Sequence, residues 1–273
     1  MSLGRIPCTW RCCDQSDDFA VKSDSTMLGE SRKGVVDMHV TEELVGQLPA
    51  PVERSLRRSG AVGSVVPEGA VVHQFGRIRT SETSRWLRFK SSETYEIARP
   101  GFEWRASLKI GPITAGMATD SFRHGEGRMR VKLLGMINVV DAAGPQIDQG
   151  SLLRWLNETM WFPAVWATDL ISWEPVDDHT ALGSVRAGGL TVQAEFCFDD
   201  EGRFVDFHAD RHRDLGKGQS EITPWSTPIR THARLGGLLL PESGGGVWHL
   251  PDGDFEYIQI RATSVTYEYA AAA

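Results

Sequence analysis

Asp120, Asp141, Asp148 and Glu158, with His124, stand near the most aromatic part of this chain. A carboxyl beside an apolar pocket can have its pKa raised by desolvation and then serve as an acid or a base. For catalysis without a cofactor, Asp120, Asp141 and Glu158 are the candidates, with His124 in reserve. Structural roles are open to the same groups. Asp148 can favour the positive end of a helix dipole. Glu158 follows Arg154 by one helical repeat and can simply pair with it.

A second polar group belongs to a β-hairpin, in which Leu190–Phe198 and Arg203–His212 flank the turn Asp199-Asp-Glu-Gly202. A four-residue loop would pair Phe198 with Arg203, Phe196 with Val205, Ala194 with Phe207 and Val192 with Ala209, gathering the apolar side chains on one face. Glu195 then faces Asp206, and Gln193 faces His208. Asp206, His208, Asp210 and His212 share the opposite face, which is expected to meet solvent. His208 and His212 would stand about 13 Å apart at ~3.3 Å per residue, too far to share one ion. Glu195, Asp206 and His208 have the right donor types for a metal, but on a solvated face no metal is assigned. Cys8, Cys12 and Cys13 fit no usual zinc spacing, and with only Cys197 elsewhere no disulfide framework is indicated. No nucleophile elbow, phosphate loop, dinucleotide fingerprint or H-E-x-x-H motif occurs, so no cofactor is expected.

These residues must be positioned by strands and one helix. Over Asp148–Trp166, Leu152, Trp155, Leu156, Thr159 and Met160 follow the spacing of one helical face, and Pro163 stops the run. The segment carries three of the nine tryptophans. Elsewhere the period is two: Phe102, Trp104, Ala106, Leu108 and Ile110 alternate with polar residues, as do Met129, Val131 and Leu133. Turns are expected at Gly125–Gly127, Asp177-Asp178, Gly188-Gly189, Gly236-Gly237, Gly244–Gly246 and Pro251–Gly253, with a last strand over Tyr257–Tyr267. Many short strands, each apolar on one face, predict a mainly β (α+β) fold. The expected form is a large curved antiparallel sheet or half-barrel with a mid-chain helical lid over 148–162.

Residues 1–40 read as a disordered leader, 41–70 as a helical segment broken at Pro49 and Pro51, and 71–273 as a single sheet domain. A formal net charge of −7 disfavours a nucleic-acid partner. No stretch approaches the ~18–20 apolar residues of a membrane span, and no apolar signal region follows Arg5 and Arg11, so a cytoplasmic location is expected.

Pro100-Gly-Phe-Glu-Trp104, Gly144-Pro-Gln-Ile-Asp-Gln-Gly150, Trp161-Phe-Pro163, Thr223-Pro-Trp225 and Trp248-His-Leu-Pro-Asp-Gly253 resemble the ordered blocks of a bacterial conserved family of unknown function. That family supplies no catalytic motif. The strand–helix–strand layout is also similar to the half-barrels of LolA-type lipoprotein carriers, which hold acyl chains under helical lids. This likeness implies a cup for a hydrophobic or amphipathic small molecule. Trp104, Trp155, Trp161, Phe162, Trp166 and Phe196 are the expected lining, although the same rings would equally fill a core. The expected function is binding or carrying such a molecule. The alternative is a cofactor-independent cyclase, isomerase or dehydratase acting in the same cup.

Overall fold

The computed structural model describes residues 38–110, 113–133, 137–216 and 219–270. Cys8, Cys12, Cys13 and most of the expected leader lie outside them. Two short helices come first, α1 (Glu42–Val45) and α2 (Ala50–Ser59). Thr41 caps α1 by accepting from the Leu44 N–H at 3.3 Å. Pro51 sits in the first turn of α2, where its missing N–H costs nothing, and Gly60 closes that helix at φ 83°.

Six strands follow as a meander: β1 (Gly69–Ile78), β2 (Leu87–Glu96), β3 (Gly101–Ile110), β4 (Ile113–Arg123), β5 (Glu126–Leu133) and β6 (Ile137–Ala143). Helix α3 (Pro145–Glu158) then leads through two 3₁₀ turns, Thr159–Trp161 and Pro163–Ala167. Beyond it run β7 (Ile171–Pro175), β8 (Thr180–Ala187), β9 (Leu190–Phe198), β10 (Phe204–Gly216) and β11 (Gln219–Ser226). The chain ends with β12 (Ile229–Leu235), β13 (Leu238–Leu250) and β14 (Gly253–Glu268).

Among the described residues, fourteen strands join one antiparallel sheet in the order β6-β5-β4-β3-β2-β1-β14-β13-β11-β10-β9-β8-β7, with β12 on β13. The fold is thus mainly β, an open antiparallel sheet with a mid-chain helix. Because β6 and β7 are the two edges, α3 has to carry the chain from one edge to the other. It packs on β5 in one arm and on β9 and β10 in the other.

Curling of the sheet accounts for that closure. Eight steps separate β4 from β9, about 38 Å in a flat sheet at ~4.8 Å per step, so only a curled sheet lets one helix touch both arms. The turn after β4 thereby meets the turn after β8. A Cβ on Gly125 would lie 2.6 Å from the Gly188 Cα, so these two turns touch backbone to backbone.

Three local expectations are revised. The helix starts at Pro145 rather than Asp148, because Pro145 is a good first helical residue and Gly144, at φ 117°, supplies the bend before it. The hairpin of β9 and β10 pairs Phe196 with Phe207 and Glu195 with His208. Asp199 takes the N–H groups of Glu201 and Arg203 at 3.1 and 2.8 Å, and a bulge at Val205 shifts the ladder. Gly244–Gly246 is not a turn but lies inside β13. There a Cβ on Gly244 would meet the Pro228 carbonyl at 2.9 Å, and one on Gly246 the Tyr257 ring at 2.8 Å, so glycine permits close approach on both sides.

Candidate functional site

On β2, Phe89, Ser91, Glu93 and Tyr95 occupy alternate positions and all face inward, toward α3. Two polar residues therefore sit on an otherwise apolar face, and Glu93 is fully buried. Its partner comes from the helix. Arg154 Nη2 donates to Glu93 Oε1 at 2.7 Å, Nη1 to Asp120 Oδ2 on β4 at 2.7 Å, and Nε to Glu158 Oε1 at 2.9 Å. The guanidinium also lies over the rings of Phe102 (4.7 Å) and Trp104 (5.5 Å).

A second ring of hydrogen bonds holds this group in place. Tyr95 donates its hydroxyl to Glu158 Oε2 at 3.2 Å. Gln74 on β1 donates to Glu93 Oε2 at 3.4 Å, and its carbonyl accepts from Ser91 (3.1 Å) and the Trp104 indole (3.3 Å).

Three carboxyls around one guanidinium leave surplus negative charge. Burial pushes Glu93 well above the ordinary glutamate range; Arg154 opposes this and Glu158 reinforces it. Glu93 therefore takes up a proton more readily than an ordinary glutamate, which would relieve that surplus. Burial works against the Arg154 charge, but Glu158, Glu93 and Asp120 together outweigh it and hold the guanidinium protonated. Burial, then Glu158 and Glu93, push Tyr95 well up, so it remains a neutral donor.

The cluster borders a cavity of about 290 Å³. Asp120, Arg154 and Glu158 form its polar wall, while Trp104, Trp161, Trp225, Trp248, Tyr257 and Ile260 are among its apolar lining. Helix α3 and the first 3₁₀ turn cover one side, with β1, β3–β5 and β10–β14 supplying the rest. The glycines of β13 form part of the wall, and the space their side chains would take is held by the Pro228 and Ile258 carbonyls and the Tyr257 ring.

Of the six rings expected to line a cup, only Trp104 and Trp161 do so. Trp155 is fully buried, packs on Phe162 at 6.0 Å and donates to the Glu96 carbonyl. Phe162 lies between Trp155 and Tyr95. Trp166 and Phe196 belong to a separate edge-to-face cluster with Trp173 and Phe207. Near that cluster is only a void of about 20 Å³, roughly one water. These four rings fill core because α3 is enclosed on both sides by the curled sheet.

The acidic candidates divide as well. Asp120 and Glu158 are brought together by Arg154. Asp141 faces outward on β6, where Arg128 (2.9 Å) and Arg130 (3.5 Å) hold its carboxyl below the usual range. His124 is exposed in the β4–β5 turn at φ 55°. Asp148 accepts from the Gly127 N–H at 2.6 Å and so ties α3 to β5. On β10 the expected solvent-facing set is also redistributed. His212 lines the cavity beside Arg211, which stacks on Trp225 at 4.7 Å. Asp206 accepts from the backbone of Phe207 and Thr227 at the bulge, and its other oxygen is 3.2 Å from His208. Among the described residues no group of three or more His, Cys, Asp or Glu is arranged to hold a metal.

Reading the sequence missed Glu93, Trp225, Trp248, Tyr257 and the β13 glycines. A signal existed for two of them. Glu93 interrupts the alternation of β2 on its apolar side, and three consecutive glycines followed by Val-Trp fit a strand that leaves room for a neighbour.

No curated protein matches the chain. Among solved structures, it is similar to a DUF1329 family protein from Desulfovibrio piger, at 9% identity and a TM-score of 0.43, covering 82% of this chain and 95% of that one. It is also similar to a LolA superfamily protein from Nitrosomonas europaea, at 7% identity and a TM-score of 0.44, covering 82% and 96%. Residues 38–260 match DUF6544, a family of unknown function, and the chain belongs to that family.

Proposed function

We propose that this member of a family of unknown function binds and carries an apolar or amphipathic small molecule beneath α3. The observation that carries the reading is the cavity of about 290 Å³ walled by Trp104, Trp161, Trp225, Trp248 and Tyr257. Protein interiors normally leave few voids larger than a water, and ligand sites combine apolar walls with a few converging polar groups. Asp120, Arg154 and Glu158 are such groups. A ligand with an apolar body would lie against the tryptophans and place hydrogen-bonding atoms toward the carboxylates.

Gentle purification followed by native mass spectrometry tests this, together with titration of a fluorescent fatty-acyl probe. Co-purified ligand, or saturable probe binding displaced by amphiphiles, is expected. Ligand-free protein that gives no saturable binding overturns the reading.

One feature favours acid–base catalysis in the same space: Glu93, which burial makes readier to take up a proton, lies next to Glu158, which lines the cavity. In that case Glu158→Gln would abolish conversion of a bound ligand while leaving its binding intact. Ligand recovered chemically unchanged after prolonged incubation argues for carriage alone.

A further inference from the structure

The face of β1–β5 turned away from α3 has an unusual charge. Cross-strand pairing aligns its side chains in rows. One row places Arg77, Arg88 and Lys109 directly opposite one another. The next runs Phe75, Lys90, Ser107, Met117, Lys132. The third runs His73, Ser92, Arg105, Thr119, Arg130 and ends on Asp141 of β6. These three rows hold seven cations and one carboxylate, in a chain whose net charge is −7.

Like charges directly opposed across a ladder destabilise a sheet, so the first row gains nothing from its neighbours. Arg77 is partly steadied by Trp86, over which it stacks at 4.6 Å, and by Gln259. Arg105 pairs with Glu103, and Arg130 with Asp141. Among the described residues, Arg88, Lys90, Lys109 and Lys132 have no carboxylate in ion-pair range.

Apolar side chains stand among these cations. Phe75 is 45% and Met117 44% exposed, both in the second row. A phenyl ring and a thioether standing among lysines and arginines suit the boundary between lipid headgroups and acyl chains. Clustered lysine and arginine supply the attraction to an anionic leaflet.

We infer that this outer face docks on an anionic lipid bilayer, with Phe75 and Met117 meeting the headgroup region. The inference is independent of what the cavity holds.

Co-sedimentation of the full chain with vesicles tests it, using phosphatidylcholine alone and phosphatidylcholine with about a third phosphatidylglycerol. Binding is expected only to the anionic vesicles and should fall as salt rises, since screening shortens to about 3 Å at 1 M. Each of Arg88→Glu, Lys109→Glu and Lys132→Glu should weaken binding by roughly fivefold or more. Met117→Ser should weaken it at unchanged charge. Circular dichroism and the thermal midpoint verify that these exposed variants fold. Equal binding to both vesicle types, no binding at low salt, or full binding by the triple Glu variant overturns the inference. So does RNA binding that is as tight as vesicle binding and indifferent to Met117→Ser.

Discussion

Arg154 on α3 and Glu93 on β2 are joined at 2.7 Å in the interior, although the carboxyl is fully buried and the arginine side chain only 16% exposed. The link fastens the helix to the centre of the β1–β6 arm. With Asp120 and Glu158 on the same guanidinium, it also sets the polar end of the cavity.

Removing the cation should be costly. Arg154→Met leaves Glu93, Asp120 and Glu158 crowded without compensation, and breaking a buried pair in this way costs about 3–5 kcal/mol. Urea denaturation at neutral pH measures the loss. Adding Glu93→Gln to Arg154→Met should recover part of it, because the two sites share one network. Strictly additive losses would count against the coupling.

The raised proton affinity of Glu93 has a pH signature. Burial raises its folded-state pKa above the ordinary value of 4.5, so the folded protein binds more protons than the unfolded chain. Stability from this group is then complete below about 4.5 and declines as pH rises through the raised folded value. Glu93→Gln should flatten that decline. Parallel pH profiles for the wild type and the Gln variant, from denaturation at successive pH values, would refute the assignment.

Core and cavity tryptophans should behave differently. Trp155→Ala removes a fully buried ring and its hydrogen bond to the Glu96 carbonyl, with an expected cost of about 3–5 kcal/mol. Acyl-probe affinity of the folded fraction should be unchanged. Trp248→Ala removes a half-buried cavity wall. It should cost only about 1–2 kcal/mol in stability yet weaken the probe roughly tenfold. Paired thermal melts and probe titrations separate the two, and a reversed pattern would place the binding site elsewhere.

Gly127 lets α3 rest on β5. A Cβ there would lie 2.6 Å from Ser151 Oγ and 2.8 Å from the Ile147 carbonyl. Gly127→Ala should therefore destabilise by about 1–3 kcal/mol through forced displacement of the helix. An unchanged thermal midpoint would contradict this packing.

Much of the fold was legible in the chain. Period-two alternation marks β3 and β5, the paired glycines at 188–189 and 236–237 mark turns, and the spacing of Leu152, Trp155 and Leu156 marks a helix; that helix ends earlier than expected, at Glu158, and Pro163 opens the second 3₁₀ turn rather than stopping the helix. The site was only partly legible. Arg154 looked like the solvent side of an amphipathic helix, because its partners Asp120 and Glu93 are 34 and 61 residues away. Trp155 and Trp161 sit on the same helical segment, yet one is core and the other lines a cavity.

Sequence alone determined which residues of an unbroken element share a face, since side-chain direction follows from the local periods of strand and helix. Only the tertiary structure decided what those faces meet. Curling of the sheet brings Gly125 against Gly188, encloses α3 on both sides and buries its polar face. The same curl leaves unfilled space beside Trp225 and Trp248 rather than beside Trp166. Curl and pairing between distant segments are properties of the whole sheet, and no short stretch of residues encodes them.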